Sequence, residues 1–252
     1  MSALLRALCA ERLKLGDTLA LWLCVLAPLL VVLFATLMAW TNPAMAMNGV
    51  DPALRWRAFI DQPLSMWARI MLPLFVTLEA ALLAGLEHGN YQWKHLLALP
   101  LPRGTHYLAK LFMLFGLVVL ATIVFCLLIL MGGLLIRNAP EVSLIGPLPL
   151  AHLCEGALAT IAAGSLMIAV QNFIAVRWRS FPVAMSSGVA ATMIAMFVPT
   201  DGSFGEFFPW AMSGVVMTGG VHQTHTAVVV GVIGFCIVAA LGVWDFTRRD
   251  HL

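Results

Sequence analysis

Polar side chains interrupt the long apolar stretches of this sequence at only a few positions, and those side chains are where chemistry is possible. Glu79 lies within one apolar stretch, and Gln171 and Asn172 lie near the end of another. A carboxyl group inside a membrane is costly, so we expect Glu79 to line a substrate path, to pair with another helix, or to make a structural hydrogen bond. The two amides are typical of contacts between membrane helices and are further candidates for such a path.

The motifs of the common catalytic and metal sites are absent from the sequence. It contains no G-x-x-x-x-G-K-[ST] phosphate loop, no H-E-x-x-H and no G-x-S-x-G. His222 and His225 are three residues apart, but no further ligand is nearby, so no metal site is predicted. The net charge of +2 comes without a basic stripe, which argues against nucleic-acid binding. We therefore predict a protein that is not an enzyme and has no cofactor of its own.

Long apolar runs dominate the chain, in which 62% of residues are hydrophobic and 10% are charged. About 20 apolar residues cross a hydrocarbon core of roughly 30 Å, and helices satisfy their own backbone groups there. We therefore predict an all-α membrane protein, in which residues 1–252 form a single transmembrane domain with six transmembrane helices. The predicted spans are about 18–40, 66–86, 107–136, 150–176, 181–199 and 226–246.

Lysine and arginine are distributed unequally between the two sides of this predicted layout. With the N-terminus in the cytoplasm, ten of the 14 fall on the inner side and four on the outer side, which favours both termini inside. The outer four are Arg55, Arg57, Arg69 and Arg137. Tryptophans gather at membrane interfaces. Those at predicted inner ends are Trp22, Trp93, Trp178 and Trp244, and those at predicted outer ends are Trp40, Trp56, Trp67 and Trp210.

Three segments outside the spans are expected to have structure of their own. Residues 2–17 carry leucines at helical spacing between charged residues, which predicts an amphipathic helix in the cytoplasmic interface. Residues 41–65 form an outer loop, in which a D-P start signal predicts a short surface helix over 52–60. Residues 200–225 are too apolar for an exposed loop and too short for two spans, so we expect an interfacial or re-entrant helix there.

A polar segment, residues 87–110, separates the second and third predicted spans and reads EHGNYQWKHLLALPLPRGTHYLAK. Tyr91–Leu99 can form a short helix with one apolar side, and the prolines that follow end it. Lys110 lies one turn into the next span, where its ammonium is expected to snorkel to the interface. Two interpretations remain open at this point: a transverse helix that contacts a soluble partner, or a surface loop without one.

This segment resembles the membrane subunits of ABC-2 type exporters, with an acidic residue, then GNYQWKHLLALPLPR, then YLAK. It is especially similar to the small permeases of lantibiotic immunity and bacitracin-type resistance. AERLK at 10–14 resembles the elbow helix of that family, FPW at 208–210 its outer re-entrant segment, and FTRRD at 246–250 its C-terminal ending.

The resemblance implies roles for particular residues. It implies an elbow helix that includes Glu11, Arg12 and Lys14. It also implies an ATPase-coupling helix on the cytoplasmic side, between spans two and three. The residues in and beside that helix are Glu87, Gly89, Asn90, Tyr91, Trp93, Lys94, His95, Leu96 and Arg103.

The resemblance further implies a permease that exports an amphiphilic substrate, such as a peptide antibiotic, drug or lipid-like molecule, from the cytoplasm or inner leaflet. Its implied partners are an ABC ATPase in two copies, which holds ATP and Mg²⁺, a second permease subunit, identical or homologous, and the lipid of a bacterial cytoplasmic (inner) membrane. A secondary transporter or channel that uses Glu79 is one alternative. A membrane scaffold that transports nothing is another.

Overall fold

The computed structural model describes residues 3–16, 18–43, 49–88, 102–139, 142–178, 180–199 and 204–248, and these contain helices and no β-strand. A short helix, α1 (Ala3–Lys14), precedes the bundle. The remaining helices are α2 (Leu19–Thr41), α3 (Arg55–Met66), α4 (Leu72–His88), α5 (Arg103–Ile136), α6 (Leu150–Arg177), α7 (Phe181–Phe197), α8 (Met212–Thr218) and α9 (Val221–Arg248). The predicted all-α class is confirmed for these ranges.

Five helical stretches in the described ranges are long and apolar enough to cross a membrane. They are Leu19–Thr41, Arg55–Gly85, Gly104–Ile136, Leu150–Arg177 and Val221–Arg248. The chain is therefore a multi-pass membrane protein. At the fifth predicted span, α7 has 17 residues, which is about 25 Å at a rise of about 1.5 Å per residue. Because the hydrocarbon core is roughly 30 Å thick, six full-length spans stay a prediction.

The second spanning stretch begins earlier than the sequence indicated. Residues 55–66, predicted as loop with a surface helix over 52–60, form α3 and continue directly toward α4. Trp56 and Phe59 are buried on one side of α3, while Arg57 on the other side is exposed. A helix is thus present where one was predicted, but its placement as a separate surface helix was wrong. A helix with one polar face has the same pattern whether its apolar face rests on protein or on a membrane surface.

A π-helical segment, Trp67–Met71, joins α3 to α4. The backbone N–H that follows this segment bonds five residues back instead of four. The next residue, Pro73, has no N–H to offer the carbonyl of Ala68. The fully buried hydroxyl of Ser213 donates to that carbonyl over 2.8 Å. The short helix α8 is thus tied to the middle of a spanning helix by a bond that satisfies its backbone.

Glycines set the closest approaches between helices. α6 packs along α9, and there a Cβ at Gly231 would lie 2.5 Å from the carbonyl oxygen of Ala162. α4 packs along α7, and a Cβ at Gly188 would overlap the side chain of Thr77. Lipid gives membrane helices little hydrophobic drive to associate, so van der Waals contact at such small residues holds the bundle together.

The tryptophans follow the predicted interface belts on only part of the molecule. Among the tryptophans in the described ranges, the exposed ones are Trp22, Trp40, Trp178 and Trp244. Trp56, Trp67 and Trp210, predicted at the outer interface, are buried. Trp67 stacks on Phe125 of α5, with ring centroids 5.0 Å apart. The prediction was wrong for these three because a large ring next to a span end can pack into protein as well as into headgroups.

Gly231→Ala is expected to lower the free energy of unfolding by about 1–3 kcal/mol, because the added methyl group meets backbone atoms that cannot rotate away. The matched control is Gly116→Ala on α5, where a Cβ would have no atom within 4 Å. Thermal unfolding in detergent, followed by size-exclusion chromatography, measures both variants. Equal midpoints would show that α6 and α9 are not this close.

Candidate functional site

The predicted coupling helix lies mostly outside the described residues. The undescribed segment 89–101 holds Gly89, Asn90, Tyr91, Trp93, Lys94, His95 and Leu96. Glu87 and Arg103 belong to the last turn of α4 and the first turn of α5. The structure therefore describes what lies next to this segment, where α1 packs against α5.

A buried lysine joins three helices at this place. Lys110 of α5 is only 3% exposed, and its ammonium donates to the carbonyl of Leu83 in α4 over 2.8 Å. The same ammonium lies 3.4 Å from Oε2 of Glu11 in α1. Lys14 reaches the other carboxylate oxygen of Glu11 at 2.8 Å. The predicted snorkelling of Lys110 is wrong, because a carboxylate and a carbonyl bind its ammonium inside the protein.

The three predicted elbow residues differ in their surroundings. Glu11 is buried between α1 and α5, Lys14 is half-buried beside it, and Arg12 is exposed. Ala7 on the same helix and Leu15 just after its end flank the charged contact with buried apolar groups. α1 is therefore anchored by a buried ion pair as well as by its apolar side.

The Lys110 contacts restrain both helix ends that border segment 89–101. Lys110 lies in the second turn of α5, and Leu83 lies near the end of α4. Hydrogen bonds to a charged donor are about twice as strong as neutral ones. A displacement of α4 relative to α5 must therefore break or stretch this bond, and the Glu11 contact carries the displacement to α1.

Glu79 is completely buried in α4 and faces Cys24 of α2. Neither of its carboxylate oxygens has a hydrogen-bond partner among the described residues. The structural hydrogen bond considered from the sequence is thus not found in that part of the chain. Burying a polar group without a hydrogen bond costs free energy, which favours the interpretation of Glu79 as a functional residue.

The two amides predicted beside Glu79 lie in α6. The Gln171 side chain donates to the carbonyl of Ala184 over 2.7 Å and so joins α6 to α7. Asn172 is buried on the same helix. Helix–helix contact is the role that the structure supports for Gln171.

Sequence reasoning assigned the wrong surroundings to two cationic residues that matter here. The burial of Lys110 depends on Glu11, which is 99 residues away, so no local pattern predicts it. Arg69 was counted as an outer-side charge, but it lies within the spanning stretch Arg55–Gly85. A proline inside that stretch, Pro73, was the available signal of an interrupted helix beside Arg69.

Lys110→Met is expected to lower the free energy of unfolding by about 3 kcal/mol or more, because it leaves Glu11 and the Leu83 carbonyl without their buried cation. Lys14→Met removes a half-exposed lysine from the same carboxylate and should cost less than about 1 kcal/mol. Unfolding in mixed micelles by titration with sodium dodecyl sulfate measures both. Similar losses for the two lysines would contradict the burial of the Lys110 contact.

A family match covers most of the chain. The sequence profile of the family described as ABC-2 family transporter protein matches residues 7–199, well over half of the 252-residue chain. That range includes the Glu11–Lys110 contact, Glu79 and all of α7. No curated protein shows a significant match. The chain belongs to the ABC-2 transporter family and is a membrane permease component of a transport system.

Proposed function

We propose that this chain is the permease subunit of an ATP-driven exporter. It moves an amphiphilic substrate, such as a peptide antibiotic, drug or lipid-like molecule, out of the cytoplasm or inner leaflet. The family match over residues 7–199 is the observation that carries this proposal. The energy comes from a separate ABC ATPase, which binds ATP and Mg²⁺, since the sequence has no phosphate loop of its own.

The Lys110 contacts give this proposal a physical route for coupling. In the proposed mechanism, the ATPase pushes on the coupling helix within residues 89–101. The movement reaches α4 and α5, which border that segment, and then α1 through the buried Glu11 contact. The permease thereby switches between two arrangements of its packed helices.

The assembly that we propose contains two permease subunits, identical or homologous, and two ATPase subunits. Each permease has six spans, of which α7 is a short one, with α1 as elbow helix. The excess of lysine and arginine on one side supports an orientation with both termini in the cytoplasm. The proposed location is a bacterial cytoplasmic membrane.

Trp93→Ala and Lys94→Glu are expected to reduce permease-stimulated ATP hydrolysis, or co-purification of the ATPase, at least tenfold, since large aromatic and charged side chains dominate protein interfaces. The helices should remain folded. Trp22→Ala is the control, because Trp22 is 65% exposed at the start of α2. If stimulation and co-purification survive drastic changes throughout residues 89–99, this coupling assignment is wrong.

A secondary transporter remains a second candidate function, because Glu79 is a fully buried carboxyl group without a bonded partner in the described ranges. Glu79→Gln keeps the shape of the side chain and removes its charge. An ATP-driven exporter should transport in reconstituted vesicles with ATP and no ion gradient, whereas a secondary transporter should need the gradient and lose transport in Glu79→Gln. Transport that needs only the gradient would overturn the exporter proposal.

A further inference from the structure

Arg69 lies in the π-helical segment, inside the second spanning stretch. Its position is fixed from the opposite side by α8. The Ser213 hydroxyl bonds to the carbonyl of Ala68, and a Cβ at Gly214 would lie 2.7 Å from Cγ of Arg69. Because Gly214 has no side chain, the stem of Arg69 can pass directly over α8. These contacts fix the position of the Arg69 side chain inside the membrane-spanning region.

A cavity of about 320 Å³ opens beside Arg69, between α2, α3 and α7. The wall from α3 and the π-helical segment carries the polar residues Gln62, Ser65 and Arg69 among apolar ones. The facing wall is apolar and includes Phe34 and Met196, whose side chains are both about half exposed on the outside of the bundle. The cavity therefore combines a cluster of polar groups with an apolar wall that belongs to the exposed surface of the bundle.

The charge of Arg69 has no counter-ion in the part of the chain that the structure describes. Arg69 makes no hydrogen bond and no ion pair with another residue there. No acidic residue lines this cavity or the smaller one on the other side of Arg69, next to Trp210 and Ala211. The nearby C-terminal end of α7 contributes only a partial negative charge. An unpaired arginine at membrane depth is costly unless a ligand or water meets it.

The short helix α7 ends beside this cavity. α2 and α7 begin on the same side of the bundle, and the end of α7 is level with Phe34 and Ala35 of α2, because Met196 and those two residues line one cavity. Phe34 comes seven residues before the end of α2, which is about 10 Å along the helix. Thinning of the membrane is one response to a helix shorter than the bilayer, and thinning around α7 would bring headgroups near Arg69.

We propose that this cavity binds an anionic membrane phospholipid. Arg69 holds the phosphate with its planar pair of N–H donors, Gln62 and Ser65 contact the polar part of the headgroup, and the acyl chains leave past Phe34 and Met196. The site lies at the end of the bundle opposite α1, and its test does not depend on ATP coupling. Failure of the exporter proposal would therefore leave this inference standing, and the reverse also holds.

The test is the lipid dependence of thermal unfolding in detergent, combined with native mass spectrometry of retained lipid. Dioleoyl phosphatidylglycerol is compared with dioleoyl phosphatidylcholine, and inorganic phosphate is a third probe. In the unmodified protein, phosphatidylglycerol should raise the unfolding midpoint more than phosphatidylcholine does, and phosphate alone should not. Arg69→Gln should weaken phosphatidylglycerol retention about tenfold or more, which corresponds to the loss of one charge-assisted contact.

Two further variants separate binding from folding. Arg57→Gln removes an exposed arginine of α3 and should keep the full response to phosphatidylglycerol. Ser65→Leu fills the cavity but keeps Arg69, and it should lose the response to phosphatidylglycerol. If Arg69→Gln does not fold, Ser65→Leu is the variant that tests whether the cavity binds the lipid.

Several results would overturn the proposal. They are an unchanged phosphatidylglycerol response in Arg69→Gln and Ser65→Leu, equal responses to the two lipids, and a response to inorganic phosphate alone. A dimer that closes the cavity and binds no lipid, detected by light scattering, would also overturn it, because a second copy would then be the occupant.

Discussion

The buried ammonium of Lys110 is the interaction on which the α1 end of this structure depends. An isolated charge inside protein or lipid is expensive, so the partners of Lys110 must remain in place whenever the fold is intact. Glu11 of α1 and the Leu83 carbonyl of α4 are among them. The first helix of the chain is therefore part of the bundle, although its length and charges are those of a surface segment.

The opposite half depends on a different constraint: backbone N–H and C=O groups in a low-dielectric region need hydrogen-bond partners within the protein. α7 ends short of a full membrane crossing, and the chain returns through the buried helix α8. Irregular backbone at such depth is tolerated where protein covers it. At the π-helical segment the carbonyl of Ala68 lacks a backbone donor, and the hydroxyl of Ser213 donates to it instead. This bond stabilises the π-helical segment, which contains Arg69, and joins it to α8.

Sequence reasoning succeeded where a single physical rule decides the outcome. Apolar length predicts a spanning helix, so the predicted span 18–40 differs by one residue at each end from Leu19–Thr41. It failed where two solutions share one pattern: α3 buries its apolar side against protein, and Trp67 packs on Phe125 instead of meeting headgroups. The site was harder, because the surroundings of Lys110 are set by a residue 99 positions away.

The π-helical segment also divides one continuous helix into two independent surfaces. Successive residues of an α-helix are about 100° apart around its axis, so an extra residue within one turn shifts the faces before it relative to those after it. Residues of α3 line the cavity beside Arg69, whereas Glu79 and Leu83 of α4 face the helices around Cys24 and Lys110. Substitutions in α3 can thus reshape one end of the permease during evolution while the other end, with its Lys110 contacts, keeps its register.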